Sequence, residues 1–469
     1  MESSSSITFE VKSKWVMEEE MRLNASSFSP DAASSVALIN KLKGKGVRVD
    51  NLGKLVSNIF YPSRLKRSYG KNGVMFLSSK DIFDFLPVGK KLNNASADYF
   101  IKPRWVLITR SGSVGRVIIA NNIIGNAAIS EHVIRVIPNE DSPVPYVYAF
   151  LVSKIGQPLI IKNIFGGVVD EIEPSHLSAI PIPIIPELEK AISEKILEAH
   201  ELRQEAQALL LKAESMIFSE LGLPEIDEED IRYFGGYKGS IIKAFSLKLS
   251  DLDLRLDASY HVPLAHLAIN NLSAAKSGTV KKLEEVARSF VPPRFKRAYV
   301  KDPADGIQLL QGTHIPQITP QDVKYIWNKM KKLKLYALEK NWILVTCSGT
   351  IGRLSLVAGC WNGWTATNHL LRIIPNEFKI NPGYLAAFLL SIYGQVQFQR
   401  LIYGGVVDEI GEAGELFDGI VILKPEDKKT ENRIGNITLE AYEKRDAANK
   451  IEEKAIRLLE KSLKEIAES

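Results

Sequence analysis

GGVVDEI occupies residues 166–172 and returns, letter for letter, at residues 404–410. A chain of 469 residues has no local reason to carry the same string twice, 238 positions apart. Outward from it, further matches fall in constant order. Arg22-Leu-Asn-Ala-Ser26 pairs with Arg255-Leu-Asp-Ala-Ser259 at an offset of 233. FYPSRLKRSY from Phe60 pairs with FVPPRFKRAY from Phe290 at 230. LITRSGSVGR from Leu107 pairs with LVTCSGTIGR from Leu344, and VIRVIPNE from Val133 with LLRIIPNE from Leu370, both at 237. Small loop insertions produce such a drift. The chain therefore reads as two copies of one unit, each followed by a polar segment, and two copies are too few for a solenoid.

Each copy reads as mixed α/β. WVLITRSG and VGRVIIA are short strands around a Ser-Gly turn, and HVIRVIPNE is a strand ended by Pro and Asn. Residues 145–164 carry helical periodicity with Pro at the start, and residues 382–402 repeat it. The alternating prolines of IPIPIIP, from Ile180, fit an extended edge segment and not a central strand. The second copy has GIVILKPED instead, so its connection to the polar segment after it is expected to differ.

After Pro186 the composition shifts to Glu, Ala, Leu and Lys, and residues 187–221 lack Gly and Pro. Ala199, Leu202, Ala206, Leu209, Ala213 and Met216 recur at steps of 3 and 4, a heptad seam. Ala448, Ile451, Ala455, Leu458, Leu463 and Ile466 form its counterpart after Pro425. A narrow seam wants one partner helix, and the duplication supplies it. The expected organisation is a domain over 1–185, a long helix over 186–222, an acidic linker and second domain over 223–425, and a long helix over 426–469. The expected fold class is mixed α/β, with the two helices pairing as an antiparallel coiled coil.

Composition narrows the function. Hydrophobic content of 45% and charged content of 25% are those of a globular protein. Two cysteines, Cys347 and Cys360, with no CxxC, exclude a disulfide framework and argue against structural zinc. The N-terminus lacks an apolar secretory core, and no apolar run reaches membrane-spanning length, so a cytoplasmic location and no membrane partner are expected. The net charge of +5 permits an acidic partner.

Catalytic signatures are absent. There is no P-loop, GxSxG or HExxH. Asn381-Pro-Gly-Tyr384 lacks the second proline of an adenine-methyltransferase stretch and reads as a helix start. Asp418, Glu426 and Lys428 loosely imitate a nuclease triplet, but the first copy has no counterpart. His132 and His369 recur inside an apolar strand, where a hydrogen-bonded structural histidine is the common case. Ser111-Gly112 and Ser348-Gly349 could present backbone N–H groups to a phosphate or simply make a tight turn. Asp170 and Glu171 would repel phosphates, so GGVVDEI reads as scaffold.

Two basic clusters stand at equivalent places. Lys54, Arg64, Lys66, Arg67 and Lys71 occur with no acid between them, as do Arg288, Arg294, Lys296, Arg297 and Lys301. Phe60, Tyr61 and Tyr69 interleave the first; Phe290, Phe295 and Tyr299 interleave the second. Such groups neutralise phosphates, and Arg also reads guanine edges. Between GVMFLSSKDI and GIQLLQGTHI the apolar frame is kept while the polar letters change, as two reading heads for different sequences require. The expected DNA-contacting residues are Arg64, Lys66, Arg67, Tyr69, Ser79, Lys80, Arg110, Ser111 and Ser113 in the first copy. Arg294, Lys296, Arg297, Tyr299, Gln311, Thr313, Thr346, Ser348 and Thr350 are those of the second.

This arrangement resembles the specificity subunit of type I restriction–modification systems. The twin LITRSGSVGR and LVTCSGTIGR strings, the twin Gly-Gly segments, Ile180-Pro-Ile-Pro183 and the helix after it carry the resemblance. It implies two target-recognition domains, each reading one half of a bipartite site on double-stranded DNA, with paired helices as the ruler between them. It implies two docked methyltransferase subunits bringing S-adenosylmethionine, translocating nuclease subunits joining for cleavage, and no cofactor or active site in this chain. The family's helix-start glutamine is absent from EDKKTENR and ELEKAISEK. Alternatives are a recognition subunit of a type IIB-like or other phage-defence methylation complex, a self-contained two-domain enzyme, and a protein-binding scaffold with no DNA role.

Overall fold

The structure, a computed structural model, describes residues 10, 11, 13, 17, 25–165, 170–226, 244–252, 255–403, 407–410 and 414–469. The Gly-Gly-Val-Val part of the first repeat string, Gly404-Gly405-Val406 of the second, and residues 22–24 and 227–230 lie outside the described residues. Two compact units are present, Met1–Gln204 with Ala447–Ser469, and Glu205–Asp446. The architecture of each is mixed α/β.

In the first unit a four-stranded sheet runs in the order Val56–Phe60, Val133–Pro138, Val106–Thr109, Val117–Ile119, with every pair antiparallel. A smaller sheet places Tyr69–Leu77 between Lys90–Leu92, antiparallel, and Ala128–Ile129, parallel. The second unit builds its four-stranded sheet in the corresponding order, Ala287–Phe290, Leu370–Pro375, Ile343–Thr346, Leu354–Leu356. Its other sheet runs Tyr299–Val300, Lys324–Trp327, Gly306–Leu310, Thr365–Ala366, again with only the last pair parallel.

IPIPIIP lies in a two-stranded ladder, Arg48–Asn51 against Pro181–Ile184, where prolines lacking an N–H are tolerated. GIVILKPED does the same, Gly278–Lys282 against Val421–Pro425. The expected difference in connection is therefore absent at the level of pairing. A buried tyrosine secures each ladder: Tyr146 donates to the Pro183 carbonyl at 2.7 Å, and Tyr384 donates to that of Leu423.

The helix expected over residues 145–164 is two helices, Val144–Val152 and Gly156–Ile161, and its counterpart is Pro382–Leu390 and Ile392–Arg400. The break falls at Ser153 and at Ser391. Each hydroxyl donates to a carbonyl three residues back, Phe150 or Phe388, at 2.6 Å. The Ser153 oxygen also accepts from Gly156 N at 3.0 Å. A Cβ on Gly156 would sit 2.0 Å from the Phe150 carbonyl oxygen, and one on Gly394 2.4 Å from Leu389 Cα. Apolar periodicity runs through the break because both halves bury the same face. Asn381 caps its helix as expected, accepting from Gly383 N and Tyr384 N.

The long helices span Pro186–Leu221 and Lys428–Glu468. In the first unit Ile192, Ile196, Ala455, Leu459 and Leu463 join the core formed by Val106, Ile108, Ile134 and the paired short helices. Full burial of a Leu or Ile is worth about 1.5–3 kcal/mol. In the second unit, ion pairs of Glu205 with Lys444 and Glu220 with Arg433 show the two segments running antiparallel. The seam departs from the heptad reading. Leu210 and Leu459 are buried, whereas Leu209 is half-buried and Leu458 exposed. Within each unit the helix segments pack on that unit's core as well as on each other, so the buried stripe is broad and follows 3.6 residues per turn more than 3.5. A polar network lies in this stripe: Arg203 pairs with Glu452 at 2.6 Å and with Asn449 at 2.7 Å, and Tyr148 donates to Glu452. Burial, with Arg203 nearby, pulls the neighbouring His200 down to about 4.

Arg135 and Arg372, the arginines of VIRVIPNE and LLRIIPNE, are completely buried. Among the described residues neither guanidinium hydrogen-bonds a carboxylate. Arg135 donates to the carbonyls of Ile129, Ser130 and Val133, and Arg372 to those of Ala366, Thr367 and Leu370. Burial pulls Arg135 down to about 10 and Arg372 to about 9. Arg135 also reaches the Tyr99 carbonyl at 3.4 Å, so replacing it by Met leaves four carbonyls without that donor, and replacing Arg372 leaves three, at about 1–3 kcal/mol for each that finds no other partner. Hydrogen exchange is expected to show lost protection in the sheet of the unit carrying the substitution.

Candidate nucleic-acid interface

The basic strings of both copies form extended loops, residues 61–68 and 291–298, between a strand of the large sheet and a strand of the small one. In the first unit the loop is held from below. Asn94 donates to the Lys66 carbonyl at 2.8 Å and accepts from Ser68 N at 3.0 Å, and Tyr99 donates to the Ser63 carbonyl at 2.9 Å. Arg64 and Lys66 remain exposed. Arg64, Leu65, Lys66 and Arg67 line an open depression of about 470 Å³. Arg67 lies over the Phe76 ring at 4.7 Å and pairs with the buried Glu131 at 2.8 Å. Burial works to raise the Glu131 carboxyl, but the Arg67 hydrogen bond and charge outweigh it and hold the group below its ordinary value.

Arg67 thus reaches the turn containing Ser130, Glu131 and His132, and His132 Nδ1 lies 2.6 Å from the Ser111 hydroxyl. The two histidines sit in turns one residue before their strands, not inside them. Gly112 and Gly349 have φ near +80°, so the Ser-Gly pairs make tight turns that an L side chain would strain. Thr109 and Thr346 brace these turns identically. Each hydroxyl accepts from the N–H of Arg116 or Arg353 and donates to the carbonyl of Ser113 or Thr350. Gln157 and Gln395, just after the helix breaks, donate to Gly115 and Gly352.

The described end of the repeat string closes this loop. Glu171 bridges to Ser111 and Glu409 to Ser348, and Ile172 and Ile410 donate to the carbonyls of Arg110 and Cys347. Arg110 is spent internally. It pairs with Glu171 at 2.8 Å and Glu173 at 2.9 Å, and stacks on Tyr61 at 4.1 Å. Ser111 and Thr346 are buried, and Ser348 is half-buried and leans toward Glu409. Ser113 and Thr350 are exposed at the loop tips.

In the second unit Arg294 and Lys296 are exposed and Arg297 is half-buried. Phe295 packs on Tyr336, with ring centroids 4.1 Å apart. Asn368 stands where the first unit has Glu131, and among the described residues Arg297 makes no ion pair. Burial lowers the His369 pKa, and the charges of Arg297 and Arg294 lower it further. Tyr69 and Tyr299 are both exposed, each with a lysine over its ring: Lys90 at 5.5 Å and Lys324 at 5.2 Å. Lys80 and Thr313 are exposed, while Ser79 and Gln311 are half-buried in turns that follow the central strands. Among the described residues no hydrogen bond or ion pair joins Ser79 or Lys80 to Arg64 or Lys66.

Asn94, Tyr99, Glu131 and the two ring-covering lysines were not among the expected residues. Tyr99 and Tyr336 recur at the offset of 237 shared by the strand strings, which was a readable signal. The nuclease-like triplet dissolves: Ser289 hydrogen-bonds Asp418, and Lys428 pairs with Glu431. Among the described residues no cluster of three or more His, Cys, Asp or Glu could hold a metal ion, and no helix is long and apolar enough to cross a membrane.

No protein-family model and no curated protein matches the chain. Among solved structures, a type I restriction–modification system S subunit from M. genitalium is 12% identical, over 89% of this chain and 95% of that one, with a TM-score of 0.37. An HsdS subunit from Thermoanaerobacter tengcongensis is 12% identical over 90% and 96%, with a TM-score of 0.28. A chain from a structure on assembly and conformational transition of the type I R-M system is 12% identical over 90% and 97%, with a TM-score of 0.27. The likeness is of broad coverage and low identity.

Proposed function

We propose that this chain is a DNA-recognition subunit of the type I restriction–modification specificity class. Each unit reads one half of a bipartite duplex site, and the long helices set the spacing between the halves. The observation that carries the proposal is the twin exposed basic loop. Arg64, Lys66 and Tyr69 recur as Arg294, Lys296 and Tyr299, presented from the same sheet junction in each unit. Lysine and arginine there meet phosphates, while the exposed residues Ser113 and Lys80 are exchanged for Thr350 and Thr313 in the other copy, which supports a difference in what the two units read. Arg110, Ser111 and Thr346 position the loops instead of touching DNA.

On this reading the chain performs no chemistry. Two methyltransferase subunits dock on the helices and units and bring S-adenosylmethionine, and nuclease subunits join for cleavage. The domains reading the two half-sites are those expected over 1–185 and 223–425.

Replacing Arg64, Lys66 and Arg67 by Ala together, or Arg294, Lys296 and Arg297, is expected to weaken duplex binding. It should also flatten the salt dependence by about 0.9 in log–log slope for each phosphate no longer neutralised. Fluorescence anisotropy across a salt series reads this directly, and an unchanged affinity in both variants refutes DNA binding by these loops. Asn94→Ala leaves the charge untouched but frees the loop. It is expected to lower affinity severalfold while the salt slope stays near that of the parent. Inserting seven residues into each long helix adds about 10 Å. Methylation mapping with the partner methyltransferase is expected to show a longer spacer, and an unchanged spacer excludes the ruler.

A further inference from the structure

The strands Lys324–Trp327 and Lys90–Leu92 occupy corresponding places, each antiparallel to the central strand of the small sheet. The segments leading out of these two strands differ. In the first unit, eight residues separate Lys90 from Tyr99, and they include Lys91, Asn94 and Asp98. In the second, eleven separate Lys324 from Tyr336, and they include Lys329, Lys331, Lys332 and Lys334. From Val323 to Leu338 there is no acid. The four lysines are exposed, and none makes an ion pair among the described residues. They are not on a loose loop. Met330 N donates to the Trp327 carbonyl, Leu333 N to Met330, Leu335 N to Lys332 and Tyr336 N to Leu333. Asn328 is tied to Asp305 and Ala304. Lys332 adopts φ +62°, an uncommon conformation for a non-glycine residue.

A hydrogen-bonded turn holding four ammonium groups that make no ion pair among the described residues concentrates positive charge beside the Arg294–Tyr299 loop, because Tyr299 pairs directly with Ile326. Trp327 and Leu335 are exposed on the same segment, at 44% and 50%. The first unit has no such turn, and it also neutralises Arg67 with Glu131 where the second unit has Asn368.

We infer that the turn Lys329–Lys334 is a sequence-independent grip on the DNA phosphate backbone, and that the second unit supplies most of the electrostatic affinity while the first contributes less. This rests on the DNA-binding reading above. Charge complementarity selects the partner: a polyanion with regularly spaced charges rewards several lysines fixed in one turn.

The test uses the full chain and a random-sequence duplex, with affinity measured from 50 to 200 mM salt and folding checked by circular dichroism. Replacing Lys329, Lys331, Lys332 and Lys334 by Gln is expected to reduce the log–log slope by about 3–4. The parent then loses about a hundredfold more affinity than the variant across that range. Replacing Lys90 and Lys91 by Gln is expected to change the slope by less than half as much. Glu131→Gln, which frees Arg67, is expected to steepen it by about one. An unchanged slope in the four-lysine variant, with binding still weakened by Ala at Arg294, Lys296 and Arg297, overturns the grip and leaves the DNA reading standing. An unchanged slope in Glu131→Gln overturns the asymmetry. Loss of no affinity in any variant overturns both.

Discussion

Arg135 and Arg372 impose a constraint that reaches from the core to the candidate interface. A guanidinium held away from water costs free energy unless its donors are satisfied. Here the carbonyls of one short turn and the start of one strand do most of that work. The chain over residues 129–133, and over 366–370, must therefore curl around the guanidinium. That curl places Glu131 under Arg67 and His132 against Ser111, so the surface loop inherits its position from a buried charge. Each Nε is a buried donor with no acceptor among the described residues, so the two cages share even their shortfall.

The two units share hydrogen bonds that periodicity alone would not demand. The Thr brace, the Ser break, the Gln strut and the Tyr clamp on the edge ladder occur in both. Differences gather at the polar rim. Cys347 stands where Arg110 makes two ion pairs, Asn368 where Glu131 neutralises Arg67, and a lysine turn where Asn94 clamps the loop. An interior built alike with a rim that varies is the pattern of a scaffold carrying distinct contact chemistry.

Much of this was legible in the letters. The collinear strings located corresponding strands, and the composition shift at Pro186 marked a helix start that the structure repeats. Less was legible where two forces act on one residue. Ser153 keeps the apolar period while ending a helix, because its hydroxyl competes for the backbone and Gly156 admits the close approach. The buried positions are Leu210 and Leu459, one residue from Leu209 and Leu458, because the helix segments also pack on the core of the unit that holds them. The Arg110 side chain pairs with acids 61 and 63 residues downstream, a separation that only the fold closes. The lysine turn has no counterpart in the other copy, so the duplication gives no sign of it.

Each cage, brace and clamp closes within the unit that owns it. A substitution at one rim therefore has no described hydrogen bond of that framework through which to disturb the other. Under the proposed function, in which each unit reads one half of a divided site, this would permit piecemeal evolution: one half of the specificity would drift to a new target while its sibling kept the ancestral one.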